Sequence, residues 1–217
     1  MEGRYSDEMF VEPTSGELKN PLIDWYQYVS PQPGLGGRQP LHTQGKTSGG
    51  GSARNFLNYQ RRSVGSLQKW ADEVGDQSYT WQNMLPYFKK SVTFHAPEPV
   101  ELGNVSFELA SEQFNQNHGG PVQVAFPGYI NPISTWLGAA FTASVFGRLP
   151  AFSNGKLFGW SYFTYTVDFM SQTRSSSETA FLRETLWRST NVNLYKTTLA
   201  KKIEFDGLKA VSVTSWG

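Results

Sequence analysis

The segment Gly45-Lys-Thr-Ser-Gly-Gly-Gly-Ser-Ala-Arg-Asn-Phe-Leu-Asn-Tyr-Gln-Arg-Arg62 carries more information than any other part of the chain. Its three consecutive glycines, Gly49, Gly50 and Gly51, let a backbone approach a flat or anionic ligand closely, because no Cβ stands in the way. The amides such a turn exposes, and the Ser52 hydroxyl, are donors suited to phosphate or to ring heteroatoms. Asn55 adds a donor and an acceptor for a polar ring edge. Composition alone favours a plainer reading, a flexible glycine-rich turn.

Other motifs fail on spacing. Gly45-Lys46-Thr47 looks like the end of a phosphate-binding P-loop, but Pro40 stands where that motif needs its first glycine, and no strand pattern leads into it. His118-Gly119-Gly120 resembles an esterase oxyanion loop, and Gly159-Trp-Ser-Tyr-Phe163 lacks the second glycine of a nucleophile elbow. A Gly-Gly pair ahead of a strand reads more simply as a turn.

The surrounding chain has 217 residues, 38% of them hydrophobic, enough for one good-sized domain or for a central piece of a larger protein. Its 19 basic and 18 acidic residues leave a formal charge of +1, which argues against a nucleic-acid or anionic-membrane surface. Cysteine is absent, so disulfides, thiolate metal sites and Cys nucleophiles are excluded. With three widely separated histidines, no metal site is expected. Met1-Glu-Gly-Arg-Tyr-Ser-Asp-Glu8 has no apolar core of a signal peptide, and no apolar run approaches the roughly 20 residues of a membrane span. The expectation is a soluble chain without an export signal, cytoplasmic by default. The glycosylation sequon Asn104-Val-Ser106 is then read as chance.

Residues 1 to 62 lack sustained periodicity and are punctuated by proline and glycine, which suggests a segment that wraps a ligand or lies on a neighbouring element. Leu67, Trp70, Ala71 and Val74, closed by Gly75, predict a helix. So do Trp81, Met84, Leu85 and Phe88 after Thr80, with Pro86 kinking it. Val122, Val124 and Phe126 alternate as a strand, and the stripe from Trp136 to Val145 predicts a helix stopping at Gly147. Alternation of Phe163, Tyr165, Val167 and Phe169 predicts one half-buried strand with an aromatic face. Ser175 and Glu178 form a capping-box pattern for a helix through Leu186. Val192 to Tyr195, Leu199 to Phe205 and Leu208 to Val213 read as three strands, the last two joined at Asp206-Gly207.

The glycine-rich segment resembles the first signature of the glucose-methanol-choline (GMC) oxidoreductases, Gly-Lys-x-Leu-Gly-Gly-Ser-Ser-Ala-x-Asn followed by Tyr-x-Arg-Gly. Trp25 with Pro31-Gln32 and Gly34-Leu35, Trp70-Ala-Asp-Glu-Val-Gly75 and Leu85-Pro-Tyr-Phe-Lys-Lys-Ser91 extend the resemblance. Arg174-Ser-Ser-Ser-Glu-Thr-Ala-Phe-Leu182 and Leu199-Ala-Lys-Lys-Ile-Glu-Phe-Asp-Gly207 resemble the fungal members in particular. Four positions depart from the pattern: Ser48 replaces Leu, Gly51 replaces Ser, Arg54 replaces an apolar residue and Arg62 replaces Gly.

The resemblance implies FAD as cofactor and oxidation of a small-molecule alcohol to an aldehyde or ketone, in small-molecule or secondary metabolism. By position it implies cofactor contacts from Gly45, Gly49, Gly50, Gly51, Ser52, Asn55 and Leu57, and a backbone contact to adenine from Ala200. It implies an α/β fold of mixed α+β character, an incomplete FAD-binding domain joined to a substrate domain with a mixed or antiparallel sheet. Residues 1–90 would form the FAD-loop and lid segment without the Rossmann βαβ unit, 91–170 a portion of the substrate domain, and 171–217 a helix and β-meander of the FAD domain. The family's pyrophosphate-binding βαβ unit is expected to precede Met1, and its catalytic His region to follow Gly217, so the chain is read as truncated at both ends. His42, His95 and His118 lie outside any family motif and inherit no catalytic role. The alternative class is a non-catalytic remnant or binding module that depends on missing segments or on another chain.

Overall fold

The computed structural model describes residues 21–96, 114, 119–128 and 130–216, and the chain divides into two units, Met1–Leu182 and Arg183–Gly217. The sequon and His118 lie outside the described residues. In the first unit, the prolines and glycines between Pro21 and Arg62 leave only short pairings. β1 (Gln27–Tyr28) lies antiparallel to β2 (Leu41–His42), and β3 (Asn58–Tyr59) follows the glycine-rich loop.

The two helices predicted next are present. In α1 (Val64–Val74) the Ser63 side chain accepts from the Ser66 amide, and Gly75 ends the helix in the left-handed region at φ 70°. Leu67 and Ala71 are its buried residues, while Trp70 and Val74 are exposed. α2 (Trp81–Ser91) starts after Thr80 and carries Pro86 in its interior, where one backbone N–H is withheld from the helix.

α2 passes directly into β4 (Val92–His95), which pairs in parallel with β5 (Val122–Ala125), Val92 opposite Val122. β6 (Thr164–Tyr165) lies antiparallel to both β5 and β3, giving the mixed order β3-β6-β5-β4. The α/β expectation with a mixed sheet therefore holds. Val92, Phe114 and Val124 form the buried core, with Phe94 stacked on Phe114 at 4.3 Å between ring centroids. Gly119 and Gly120 are not a simple turn. A Cβ on Gly119 would strike the Thr93 side chain and one on Gly120 the Lys90 carbonyl, so the pair lets β5 begin close against the end of α2. Arg61 is buried beside this core, its guanidinium 4.8 Å from the Phe114 ring centroid and donating to the Ser153 carbonyl at 3.3 Å.

Three further details of the first unit differ from the sequence reading. α3 (Ile133–Ala143) stops before Gly147, because the Ser144 hydroxyl turns back to the Ala140 and Phe141 carbonyls at 3.0 and 2.8 Å. The single strand expected from Trp160 to Phe169 is two short ones in different sheets, β6 and β7 (Val167–Asp168). β7 pairs with β8 (Thr173–Arg174). Between them, Thr166 donates from its amide to the Leu57 carbonyl at 2.8 Å, and its own carbonyl accepts from the Ser175 amide at 2.9 Å. The buried residues here are Thr164 and Val167, not the aromatics. The cap also falls one residue later than predicted. Ser176 and Thr179 exchange amide-to-hydroxyl bonds of 2.8 and 3.3 Å, whereas the Ser175 hydroxyl accepts from the Gln123 amide. The segment continues as a wide π-type turn, Glu178–Leu182.

The second unit contains α4 (Arg183–Arg188) and a hairpin of β9 (Leu199–Asp206) and β10 (Lys209–Trp216). Lys209 pairs with Asp206, so the turn is Gly207-Leu208 rather than Asp206-Gly207, with Gly207 at φ 60°. Val192 to Tyr195 is not a strand. No helix among the described residues is long and apolar enough to cross a membrane.

Candidate functional site

The glycine-rich loop begins at Gly45, which forms an antiparallel bridge with Asp24, while the Lys46 amide donates to the Ile23 carbonyl at 2.8 Å. Gly49 and Gly50 then take left-handed φ values of 91° and 50°, folding the chain into a tight 3-10 turn over Gly50–Ala53. The two faces of this turn differ. A Cβ on Gly45 would run into the Gly50 carbonyl and lie 3.2 Å from Arg54 Cγ, so this side is closed. Beside Gly50 and Gly51 an added Cβ would meet nothing within 4 Å, so this side is open backbone.

The closed side is held by charge. Arg54 pairs with Asp24 at 3.5 Å, with the Asp24 side chain 3% exposed, and Asp24 also accepts from the Tyr26 amide at 2.8 Å. Arg54 Nε is buried without a hydrogen-bond partner among the described residues. Arg174, from β8, donates through Nη1 to the Ser52 carbonyl at 3.1 Å and to Asn55 Oδ1 at 2.7 Å. Burial, and then the positive charge of Arg54, hold the Arg174 guanidinium below its ordinary range.

Next to it, the Ser177 amide donates to Ser52 Oγ at 2.9 Å and the Ser177 hydroxyl to the Gly49 carbonyl at 3.2 Å. A side chain on Gly49 would press on Ser176 and Glu178. The segment from Arg174 to Glu178 thus forms a seat for the loop.

The residues singled out from the sequence separate into two groups. Gly50 and Gly51 present open backbone, and Asn55 is exposed. Gly45 and Gly49 shape the turn. The Ser52 hydroxyl donates to the Gly49 carbonyl at 2.6 Å, so it closes the turn rather than pointing a donor outward. Leu57 is buried at φ 65°, its amide donating to Asn55 Oδ1 and its carbonyl accepting from Thr166. Arg62 is exposed beyond the loop. Ala200 lies on β9 of the second unit, opposite Ser215, where two residues of β9 match one step of β10.

His42 is exposed on β2, and His95 ends β4 with Nε2 2.7 Å from Gln123 Oε1. Among the described residues no cluster of His, Cys, Asp or Glu could hold a metal ion. The seat was missed by sequence reasoning. Arg174 and Ser177 sit in a recognisable motif, but nothing in it points to the loop, and no pattern ties Asp24 to Arg54.

This geometry suits a flat ring bearing acceptor atoms and an attached anionic group. Glycine backbone without side chains provides close approach, an exposed carboxamide provides polar contact, and the Arg174 guanidinium provides positive charge behind the turn, the Arg54 charge being balanced by Asp24.

The fold matches an FAD-dependent oxidoreductase from Chaetomium thermophilum with a TM-score of 0.79 at 26% identity, over 90% of this chain and 33% of that one. That places the fold in the class of that oxidoreductase, about a third of whose length it matches. More narrowly, the chain belongs to the GMC oxidoreductase family, whose model matches residues 31–216. Among curated relatives, versicolorin B synthase of Aspergillus parasiticus is 43% identical over 192 residues, covering 88% of this chain. Patulin synthase of Aspergillus clavatus is 40% identical over 194 residues, covering 89%. The chain spans 30% and 31% of the length of these two relatives.

Proposed function

We propose that this chain forms part of the FAD site of an oxidoreductase acting on CH–OH groups, converting a small-molecule alcohol to an aldehyde or ketone in secondary metabolism. The observation that carries the reading is the asymmetry of the 45–57 loop, open backbone at Gly50 and Gly51 on one side and a charged seat on the other. The family membership supports the oxidoreductase reading, and the fungal relatives, versicolorin B synthase and patulin synthase, support its place in secondary metabolism. The chemistry FAD supplies when bound is acceptance of a hydride from the alcohol carbon.

The residues of this chain bind and orient. Gly50 and Gly51 admit the ring or phosphate, Asn55 contacts a polar edge, and Gly45, Gly49, Ser52 and Leu57 fix the turn. Ala200 contributes backbone toward adenine. No histidine of this chain is assigned as the base that takes the alcohol proton. Within this proposal residues 1–90 supply the loop and lid, 91–170 the substrate domain portion, and 171–217 the helix and hairpin of the FAD domain.

The test is a visible absorption spectrum of the protein, expressed with all the flanking sequence its gene encodes. A stoichiometric bound-flavin band is expected. A colourless product that stays colourless in excess FAD would overturn the proposal in favour of a non-catalytic role.

A further inference from the structure

The two ends of the Asn55 carboxamide are in different states. Oδ1 accepts from the Leu57 amide at 3.1 Å and from Arg174 Nη1 at 2.7 Å, which fills both lone pairs of a carbonyl oxygen. Nδ2, with two hydrogens to give, has no partner among the described residues, and the residue is exposed. Both groups facing Oδ1 can only donate. Turning the amide over would set an NH2 against a backbone N–H and a guanidinium, leaving three donors with no acceptor between them.

Arg174 is itself fixed. The same Nη1 donates to the Ser52 carbonyl, and its backbone lies in β8, paired with Val167 of β7. The bond to Asn55 is charge-assisted and therefore the stronger of the two that Oδ1 receives.

We infer that Arg174 is a positioning residue that locks Asn55 as a hydrogen-bond donor toward the ligand of the loop. The ligand atom opposite is then an acceptor: a carbonyl oxygen, an unprotonated ring nitrogen or an anionic oxygen. An isoalloxazine edge offers both kinds of atom, carbonyl oxygens and one ring N–H, and this arrangement selects the former. The inference rests on the FAD reading above and adds to it the polarity of one contact and the residue that sets it.

The experiment is FAD titration of the flavin-stripped protein, carrying all the flanking sequence its gene encodes, followed by flavin fluorescence and the visible band. Asn55→Asp keeps an oxygen for Leu57 and Arg174 but replaces the outward NH2 with a carboxylate oxygen. Its apoprotein should melt no lower than the native one, while FAD affinity falls about tenfold or more and the visible band of the bound flavin shifts.

In an Arg174→Met background only the Leu57 amide still holds Oδ1, so the carboxamide turns more readily, FAD binds more weakly and Asn55→Asp has a several-fold smaller effect. Arg174→Lys should restore part of the affinity. Native-like FAD affinity and spectrum in Asn55→Asp, or an equal Asn55→Asp penalty with and without Arg174, overturns the inference. Failure of the native protein itself to bind FAD overturns the underlying reading as well. If Arg174→Met does not fold, Asn55→Asp and Arg174→Lys decide.

Discussion

Asp24 and Arg54 meet beneath the glycine-rich loop, carboxylate to guanidinium at 3.5 Å, thirty positions apart in a stretch with little regular structure. Taking the carboxylate out of water is costly, and the pair offsets that cost only while both charges are present. Arg54→Met leaves a buried carboxylate that accepts from the Tyr26 amide but has lost its counter-charge, and a loss on the order of 3 kcal/mol is expected. Adding Asp24→Leu should recover much of it. Urea denaturation midpoints of the two single variants and the double variant check this; a double variant as unstable as the sum of the singles refutes it.

The glycines of the loop should respond differently to the same change. Gly45→Ala drives a methyl into the Gly50 carbonyl and should destabilise the protein by about 1–3 kcal/mol. Gly51→Ala has open space, and stability should change by less than about 0.5 kcal/mol. The family pattern carries Ser at this position, so a Cβ there is compatible with the cofactor, and Gly51→Ala should leave FAD affinity close to native. Thermal melting of the apoproteins and FAD titration check both expectations.

Gly138 tests packing away from the loop. Alanine in a helix interior ordinarily stabilises by about 1 kcal/mol over glycine. Here its methyl would lie 2.7 Å from the Trp160 ring, which is tied by an indole N–H bond of 3.0 Å to the Thr142 hydroxyl. Gly138→Ala should therefore lower the melting temperature. A rise would show that Trp160 can move aside.

Asp168 gives an acid dependence. Its carboxylate accepts from the Ser171 amide at 2.8 Å and hydroxyl at 2.9 Å, and the amide bond is the largest cause holding its pKa below the ordinary value. The folded protein then binds fewer protons than the unfolded chain as this group titrates. Its contribution is present above the unfolded carboxylate pKa of about 3.9 and lost as pH falls through the lower folded value. Asp168→Asn should lose stability at neutral pH, with the gap to the native protein closing below about pH 4. A pH series of denaturation curves measures that gap.

Much of the local structure was legible because its causes are local. Leu67 and Ala71 at helical spacing with Gly75 behind them define α1, and Val122 and Val124 alternate along β5 at strand spacing. What escaped depends on partners. Alternation from Phe163 to Phe169 is the same on either side of Thr166, yet the hydrogen bonds that Thr166 gives to Leu57 and receives from Ser175 divide that run between two sheets. Ser175 looks like a cap, but the Gln123 amide, 52 positions away, claims its hydroxyl, and Ser176 caps instead.

The candidate site shows the same division. The glycines and Asn55 announce themselves as a motif, whereas Asp24, Arg174 and Ser177 matter only through neighbours that chain folding brings to them.

The contacts that seat the loop also constrain its order of assembly. Ser52 reaches Ser177 across 125 positions, its carbonyl reaches Arg174 across 122, and Leu57 reaches Thr166 across 109. During synthesis the glycine-rich turn leaves the ribosome long before any of these partners exists, and the entropy of closing so long an interval must be overcome before the contacts form. The cradle for the cofactor is therefore a late product of folding, finished only after the chain has emerged beyond Ser177, and a nascent chain arrested before that point would lack a settled loop however well α1 and α2 had formed.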